Sequence, residues 1–472
     1  MTASANDSEL AATHAWIASR ADFFDAGGAV LLARAPGRID VMGGIADYSG
    51  SLVLQLPLAV ATWVAVQPQE APTLVIESGD GEHSRRVTIP LEDIVPAGPL
   101  PYAEARVRLA RDPERAWAAY VAGALVVLQH EHRHRPRHGV KVLIRSDVPI
   151  GKGVSSSAAL EVAALQALGA LAGLEFEDRA LALAAQKIEN LVVGAPCGVM
   201  DQMTAAGGRA GHLLELLCQP AEVVGHLALP PTLEVFGIDS GIRHAVSGAD
   251  YGSVRAAAFM GYRIVAQAAG LAATAVAPGR VTIDDPRFHG YLANVTPDEW
   301  RDTFRDAVPE QMTGADFLAR YAGSTDDATV IDGARTYAVR AAAEHPILEH
   351  ARVRQFRALL AAGAAADDER AALGQLMFQS HASYSACGLG SDGTDRLVEL
   401  VREAGPARGL HGAKITGGGS GGTVAILATR GSRPAIDEIA RRYVQETGRA
   451  VTVFSGSSPG ARSYGVHSLT RL

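Results

Sequence analysis

Residues 149–159 read PIGKGVSSSAA, a loop with two glycines and three serines. A strand-like stretch, GVKVLIR at 139–145, precedes this loop, and an alanine-rich stretch typical of a helix follows it at 156–171. Glycines let backbone N–H groups approach a phosphate closely, and the free N–H groups at a helix N-terminus attract anions. The order of strand, loop and helix predicts an α/β unit that holds phosphate, although a capped connection without a ligand has the same pattern.

Two familiar nucleotide motifs do not describe this loop. The sequence contains no G-x-x-x-x-G-K-[ST], so it has no Walker P-loop. Residues 149–159 also lack the G-x-G-x-x-G fingerprint of dinucleotide-binding folds.

Three further segments combine glycine with isolated charges. Residues 414–422 read KITGGGSGG, and five glycines within six residues exceed what a turn between strands needs. Asp201 lies in GAPCGVMDQ, where its carboxylate is either a helix cap or a catalytic group. Arg38 and Asp47 lie in RAPGRIDVMGGIADYSG, which also suits a surface hairpin with a salt bridge.

Length and composition limit the class of protein. A chain of 472 residues exceeds one ordinary hydrophobic core, so we expect two domains. The net charge of -8 gives no electrostatic reason to bind nucleic acid or an anionic membrane. Three cysteines without a CxxC pair argue against a disulfide framework and a structural zinc site, and they suit a reducing cytoplasm. No stretch reaches the roughly 18 uncharged apolar residues of a membrane span.

The remaining pattern predicts alternating helices and strands. Residues 29–38 read as a strand that ends at a Gly/Pro turn, residues 1–10 look frayed, and 277–346 receive no assignment. Short strands are expected around Gly79-Asp80-Gly81. Further helices are predicted at 11–25, 117–130, 180–193, 250–269, 346–361 and 367–378.

Taken in order, the four motif segments resemble the galactokinase branch of the GHMP kinases. Residues 34–50 resemble R-A-P-G-R-[VI]-N-L-[IM]-G-E-H-T-D-Y-N-G, and 149–159 are similar to P-x-G-x-G-[LV]-S-S-S-A. Residues 197–202 match C-G-[IV]-M-D-Q, and 414–422 match K-[IM]-T-G-G-G-[FS]-G-G. The similarity is greater still to the L-arabinokinases, which share DVMGGIADYSGSLVLQ, GIDSGIRH, SACGLGSDGT and GSSPGA with this chain.

This resemblance implies a two-domain α+β protein with the GHMP kinase fold. An N-terminal α/β domain with a mixed sheet is expected at 1–228, and a C-terminal ferredoxin-like α+β domain at 229–472, with the active site in the cleft. Residues 270–345 have no counterpart in the resemblance, and the oligomeric state stays open. The expected partners are a small sugar and ATP.

The resemblance also implies transfer of the γ-phosphoryl group of ATP to a sugar C1 hydroxyl, with Mg²⁺. Asp201 would accept the proton of that hydroxyl or orient it, and Arg38 would stabilise the transferring group. Glu189 could instead be an exposed helical carboxylate, and Tyr251 a core tyrosine. The residues implied to bind sugar are Asp47, Gly44, Ile45, Gly198, Tyr251 and Gly418. Those implied to bind ATP are Gly151, Gly153, Val154, Ser155, Ser156, Ser157 and Ala158, and those implied to bind Mg²⁺ are Ser157 and Glu189.

Two positions of the first motif indicate a pentose. In galactokinases a glutamate and a histidine there face the C6 hydroxymethyl group of the sugar, and this chain has Gly44 and Ile45. L-Arabinose lacks that group, and leaving a buried Glu or His unpaired would cost about 1–3 kcal/mol each. We therefore expect an L-arabinose 1-kinase, and we expect Gly44→Glu with Ile45→His to shift preference toward galactose. The alternatives are a galactokinase, a kinase for a related sugar such as D-fucose, or a non-catalytic sugar and ATP sensor.

Four histidines between 130 and 138 alternate with arginines. A histidine-rich tract can bind metal, but a solvated helix end and loop before the strand at Val140 is the favoured interpretation here. We assign it no function.

Overall fold

The structure is a computed structural model, and it describes residues 3–20, 22–25, 27–79, 84–242 and 249–469. Two features of the sequence analysis fall partly outside this range. Asp80 and Gly81 of the expected turn, and Arg243 and His244 of the GIDSGIRH stretch, lie outside the described residues.

A mixed eight-stranded sheet forms the centre of the N-terminal half. Six strands run in the order β17-β1-β2-β5-β3-β4, while β6 pairs with the first part of β2 and with β7. The pair β3–β5 is parallel and the other pairs are antiparallel. The strands are β1 (Val30–Met42), β2 (Leu52–Gln69), β3 (Thr73–Ser78), β4 (Arg85–Pro90), β5 (Gly139–Ser146), β6 (His212–Leu217), β7 (Glu222–Ala228) and β17 (Val466–Leu469).

Helices of the first half pack their apolar side chains against this sheet. Val162 and Leu165 on α5 belong to the same buried cluster as Val64 on β2 and Val142 on β5. The helices are α1 (Ala3–Ala18), α2 (Leu91–Ile94), α3 (Tyr102–Ala110), α4 (Ala119–His132), α5 (Ser156–Leu171), α6 (Asp178–Lys187) and α7 (Met200–Gly207). Shorter turns are the 3₁₀ helices Gly44–Ser49 and Ala116–Ala118 and the π-helix Ile188–Val193.

The C-terminal half has a four-stranded antiparallel sheet in the order β14-β15-β8-β16. Numbered along the chain, this order is 2-3-1-4, which is the ferredoxin-like arrangement that the resemblance implies. Its strands are β8 (Leu233–Asp239), β14 (Leu410–Ile415), β15 (Thr423–Thr429) and β16 (Val453–Phe454). Its helices are α8 (Ala249–Ala268), α11 (Val339–Ala361), α12 (Asp367–Ala386), α13 (Asp392–Ala404) and α14 (Arg433–Thr447), with a 3₁₀ turn at Pro406–Arg408. The short helix α15 (Ala461–Tyr464) comes later in the chain but packs on α7 and β1 of the first half.

The unassigned middle of the sequence is a packed part of this half. Two small sheets, β12-β10-β9 and β11-β13, alternate with short helices. Buried aromatic side chains at Phe288, Trp300 and Phe304 share one apolar cluster with α8 and α11. The elements are β9 (Ala273–Ala277), β10 (Gly279–Ile283), β11 (Met312–Thr313), β12 (Gly323–Ser324), β13 (Thr336–Tyr337), α9 (Pro297–Glu299), α10 (Gly314–Tyr321), a 3₁₀ turn (Leu292–Asn294) and a π-helix (Trp300–Phe304).

Several expected element boundaries were wrong. β1 continues through Pro36 and Gly37 without a turn, because irregularities in its register with β2 absorb the proline. α1 begins at Ala3 and not at Ala11, and it ends at Ala18. α11 begins at Val339 and contains Pro346, which has no N–H for a helical hydrogen bond. The packing of the buried face of α11 against α8 offsets the loss of that bond.

The division expected at residue 228 falls between β7 and β8, which belong to different sheets. The end of the chain does not follow this division, because β17 returns to pair with β1. Residues 229–472 therefore do not all lie in the second half: pairing β17 with β1 satisfies backbone groups that would otherwise form a sheet edge. Among the helices of the described segments, none combines the length and apolarity needed to cross a bilayer.

Candidate active site

A cleft lies where the motif segments meet. Both halves of the chain contribute to it, because the first motif and the serine loop come from the N-terminal half and Gly417 and Gly418 from the other. The cleft is lined by Arg38, Ile45, Asp47, Gly151, Gly153, Ser155, Ser156, Ser157, Glu189, Cys197, Gly198, Met200, Asp201, Tyr251, Gly417 and Gly418.

Arg38 and Asp201 form the charged centre of the cleft. Nε of Arg38 donates to Oδ1 of Asp201 at 2.8 Å, and Nη2 donates to Oδ2 at 2.9 Å. The third arm, Nη1, donates to the carbonyl of Gly153 at 2.7 Å. Burial opposes the charged form of Arg38, but the carboxylates of Asp201 and Asp40 raise its pKa above the usual value. The guanidinium is thus fixed in position and stays charged.

The serine loop presents a helix N-terminus to this centre. α5 begins at Ser156, and Ser155 before it has left-handed backbone angles, φ 63° and ψ 49°. Its hydroxyl donates to Oδ2 of Asp201 at 2.5 Å. Because the first N–H groups of a helix lack partners within the helix, this end of α5 suits an anion in the cleft. The same turn therefore aligns the carboxylate and offers donors to a phosphate.

Glu189 lies in the π-helix behind the serines, with its side chain at the cleft. Burial raises its pKa to about 7, while hydrogen bonds from Ser157, Cys197 and Gln202 oppose the rise. Nε2 of Gln202 donates to Oε2 of Glu189 at 2.6 Å and to Oε2 of Glu161 at 3.1 Å. Burial, and then the charge of Glu189, raises the pKa of Glu161 well above its ordinary range.

These acidic groups fit a divalent cation bound together with phosphates. Among the described residues, Oε1 of Glu161 is buried without a hydrogen-bond partner, and Glu189 in front of it lines the cleft together with Ser157. No group of three or more His, Cys, Asp or Glu in the described parts of the chain could by itself hold a metal ion. A cation here would therefore need ligands from a nucleotide, as Mg²⁺ in phosphoryl-transfer sites commonly has.

The opposite wall of the cleft combines a carboxylate with apolar and aromatic groups. Asp47 is 4% exposed, and the N–H of Tyr48 donates to its Oδ1 at 2.6 Å. Gly198 is required beside it, because a Cβ there would lie 1.7 Å from Oδ2 of Asp47. Burial and the charge of Asp201 raise the pKa of Asp47 to about 7, while Arg255 opposes the rise. Tyr251 completes this wall.

Three of the expected site residues are not among the described residues that line the cleft. Val154 and Ala158 are fully or nearly fully buried, and the carbonyl of Val154 accepts from the N–H of Arg38 at 3.1 Å. Gly44 is buried beneath the phenol of Tyr384 and does not line the cleft, so its expected role in sugar binding stays a prediction. Ile45 alone of that pair faces the cleft.

Sequence reasoning missed several residues around the site. Arg255 makes a buried bidentate pair with Asp326, at 3.1 and 2.8 Å, and also donates to the carbonyl of Cys197 at 3.2 Å. Tyr384 was missed because the predicted helix ended at Phe378, whereas α12 continues to Ala386. Glu161 carried a usable signal, since its spacing of four from Ser157 places both on one face of α5.

The histidines between 130 and 138 lie away from the lining residues of the cleft. His130 stacks on Tyr102 with ring centroids 4.3 Å apart. The rings of His132 and Phe176 meet edge to face, with centroids 5.2 Å apart. These contacts make the end of α4 part of the packed surface.

Comparison with protein families identifies three matching regions. Residues 21–68 match the galactokinase galactose-binding signature. Residues 119–209 match the GHMP kinases N terminal domain, and residues 361–450 match the GHMP kinases C terminal family. The matches include all four segments that line the cleft.

Individual proteins from these families are similar to this chain over most of its length. An L-arabinokinase of Arabidopsis thaliana is 45% identical over 94% of this chain, and this chain spans 47% of that relative's length. A galactokinase of Chloroflexus aggregans is 30% identical over 89% of this chain and 90% of its own length. A solved Lactococcus lactis galactokinase complexed with galactose has a TM-score of 0.72 and 20% identity, covering 97% of this chain and 100% of its own.

Proposed function

Since the chain belongs to the galactokinase family of the GHMP kinases, we propose that it phosphorylates the C1 hydroxyl of L-arabinose with ATP. The products would be L-arabinose 1-phosphate and ADP. The observation that carries the catalytic part is the bidentate pair of Arg38 and Asp201 in a cleft that also holds the N-terminus of α5.

The nucleotide would lie with its phosphates along the serine loop. The N–H groups at the start of α5 and the hydroxyls of Ser156 and Ser157 face the cleft, and Gly151 and Gly153 leave the backbone accessible. Gly417 and Gly418 lie on the other side, from the C-terminal half. Ser157 and Glu189 would hold Mg²⁺, which neutralises charge on the β- and γ-phosphates.

In the transfer itself, the sugar C1 oxygen forms a bond to the γ-phosphorus while the bond to the β–γ bridging oxygen breaks. Asp201 takes the proton of the C1 hydroxyl or holds that hydroxyl in line. Arg38 and Ser155 fix the carboxylate, and Arg38 also places positive charge where the transferring group gains negative charge. Positioning and charge supply most of the rate acceleration in such reactions.

The sugar would contact Asp47, Tyr251 and the wall formed by Ile45. An isoleucine in this wall favours a sugar that has no hydroxymethyl group there, because it offers that group no hydrogen bond and occupies its volume. Similarity to an L-arabinokinase over 94% of the chain supports the same substrate.

The deciding experiment compares kcat/KM for L-arabinose and D-galactose with ATP, in one preparation. We expect L-arabinose to be preferred by about 10–200-fold, the range that an apolar wall supplies. A preference for galactose by about tenfold or more would overturn the pentose assignment and leave a galactokinase.

Galactokinase activity is the second candidate, favoured by the galactose-binding signature at 21–68. The third, a non-catalytic sensor, is disfavoured by the charged centre and serine loop, which are both complete. An ATP-consumption assay across a panel of sugars distinguishes them, because a sensor would consume no ATP with any sugar.

A further inference from the structure

The phenol of Tyr384 occupies the place that a side chain at position 44 would take. Gly44 begins the 3₁₀ turn Gly44–Ser49 with φ +45°. A Cβ built there would lie 1.5 Å from the phenol oxygen of Tyr384 and 2.7 Å from its Cζ. Non-bonded atoms never approach so closely, so Tyr384 in this position requires glycine at 44.

The hydroxyl of Tyr384 also joins the two halves of the chain. It accepts from the N–H of Ile45 at 2.8 Å and donates to the carbonyl of Gly417 at 3.0 Å. Ile45 lines the cleft from the N-terminal half and Gly417 from the C-terminal half. One buried hydroxyl therefore holds the sugar wall and the glycine loop in register.

The ring cannot move aside without disturbing a packed core. Tyr384 is fully buried, and its ring meets that of His345 edge to face at 5.1 Å. The ammonium of Lys414 lies 5.1 Å from the ring centroid and pairs with the buried carboxylate of Asp40. Asp40 in turn accepts from the N–H of Gly44 at 2.9 Å. The glycine and the ring are thus fixed by one connected set of contacts.

We propose that Tyr384 is a specificity-determining positioning residue, which excludes any side chain at position 44 and fixes Ile45 as the wall of the sugar subsite. The subsite would then take an aldopentopyranose, which has no substituent at the ring carbon facing that wall. This inference rests on the proposed function, and it extends it to a residue behind the cleft. Burial raises the pKa of Tyr384 well above its ordinary value, so its hydroxyl keeps its proton and remains a donor to Gly417.

If Tyr384 excludes a side chain at position 44, the expected effect of the substitutions at positions 44 and 45 changes. With Tyr384 in place, Gly44→Glu with Ile45→His forces a side chain into the phenol, and we expect a destabilised enzyme with no gain on galactose. Adding Tyr384→Leu removes the ring end and gives the glutamate room. We expect the triple variant to lower the ratio of kcat/KM for L-arabinose over D-galactose at least about tenfold against the wild type.

The steric part is tested by a double-mutant cycle on Tm. Gly44→Ala should lower Tm by at least about 5 °C, because the new Cβ meets the phenol oxygen. In Gly44→Ala with Tyr384→Leu, the fall in Tm should be clearly smaller than the sum of the two single falls. Additive falls would show that the two side chains do not compete for space, and would overturn the proposal.

The hydrogen-bonding part is tested by Tyr384→Phe, which keeps the ring and removes the hydroxyl. Because Ile45 N–H and the Gly417 carbonyl then lose their partner, we expect kcat/KM for L-arabinose to fall at least about tenfold, mainly through KM. The matched control is Tyr262→Phe, which removes a buried phenol hydrogen bond of 2.7 Å to Asp285, away from the cleft. If KM changes equally in both variants, Tyr384 has only a structural role and the proposal is wrong.

The two proposals fail in different ways. If the wild type prefers galactose, the proposed function is wrong, yet the cycle on Tm still measures whether Tyr384 and position 44 compete. If the wild type prefers L-arabinose but the cycle is additive, the proposed function stands and the role of Tyr384 does not.

Discussion

Arg38 and Asp201 face each other through two parallel hydrogen bonds of 2.8 and 2.9 Å, although 163 positions separate them in the chain. The guanidinium is 4% exposed and the carboxylate 23%, so the pair meets solvent on the side of Asp201. A fork of this geometry holds a carboxylate in one orientation, and this is what a group that receives a proton from a substrate hydroxyl needs.

Replacing Asp201 by asparagine keeps the shape of the side chain and removes its charge and basicity. We expect kcat to fall at least about 100-fold, the scale for losing a positioned acid or base group. The measurement is the initial rate of ATP consumption at saturating sugar, with Tm as the check on folding. A rate close to that of the wild type would contradict the proposed role.

Arg38→Lys should lower the rate of phosphoryl transfer even though the substitution keeps the positive charge. A single ammonium group cannot span both oxygens of Asp201 and the carbonyl of Gly153. We expect kcat to fall at least about tenfold. The matched control is Arg301→Lys, because Arg301 makes an exposed bidentate pair with Asp302. Loss of activity in the control as well would show that the effect is not specific to the cleft.

Asp47 should make the stability of the ligand-free protein depend on pH. Its pKa is raised from 3.8 to about 7, so between these values the folded state binds the proton more tightly than the unfolded state. Stability from this group is therefore present below about pH 4 and lost as pH rises through about 7. Asp47→Asn has no proton to lose, and its Tm should exceed that of the wild type at pH 8 but not at pH 4.

The control for this titration is Asp22→Asn, whose side chain is 80% exposed in the wild type. It should show no pH-dependent difference in Tm from the wild type. If the gap between Asp47→Asn and the wild type stays constant from pH 4 to pH 8, the buried carboxyl does not titrate in this range.

Asp326 connects the middle segment to the cleft through Arg255, which holds the carbonyl of the cleft residue Cys197. It is 1% exposed, and Asp326→Asn would leave the buried charge of Arg255 without its partner, at a cost of about 3–5 kcal/mol in the free energy of unfolding. Arg255 also holds the carbonyl of Cys197, so we expect KM for the sugar to rise. Denaturant unfolding and sugar kinetics measure the two effects.

An exposed pair provides the comparison for Asp326. Asp302→Asn removes one partner from a pair in which both side chains are 63% exposed, and because solvent screens such a pair, little stability should be lost. A loss of stability in Asp326→Asn no larger than in this control would contradict the buried ion pair.

Local chemistry made parts of this protein readable from its sequence. The helix at 156–171 matches α5 at both ends, because a glycine loop, serines and an alanine-rich run specify a helix start through short-range forces. The serine loop at 149–159 and the glycine-rich segment at 414–422 were noticeable for the same reason, since a loop that meets a phosphate needs glycines and hydroxyls wherever the rest of the chain lies. The segments around Arg38 and Asp201 had other local interpretations, and only the resemblance of all four segments together favoured a catalytic role.

Tertiary packing decided what local chemistry left open. The course of β1 through Pro36, the start of α11 at Val339 and the end of α12 at Ala386 depend on partners far along the chain. Arg255 and Asp326 looked like ordinary charged residues, and burial made their pairing necessary.

The pair of positions 44 and 384 shows the difference most clearly. The amino-acid sequence shows that position 44 has no side chain and that position 45 is apolar, and these two residues indicated a pentose. That the phenol of Tyr384 fills the space beside Gly44 became visible only in the folded chain. Excluded volume acts between atoms that are close in space, and the 339 residues of intervening chain carry no local trace of that contact.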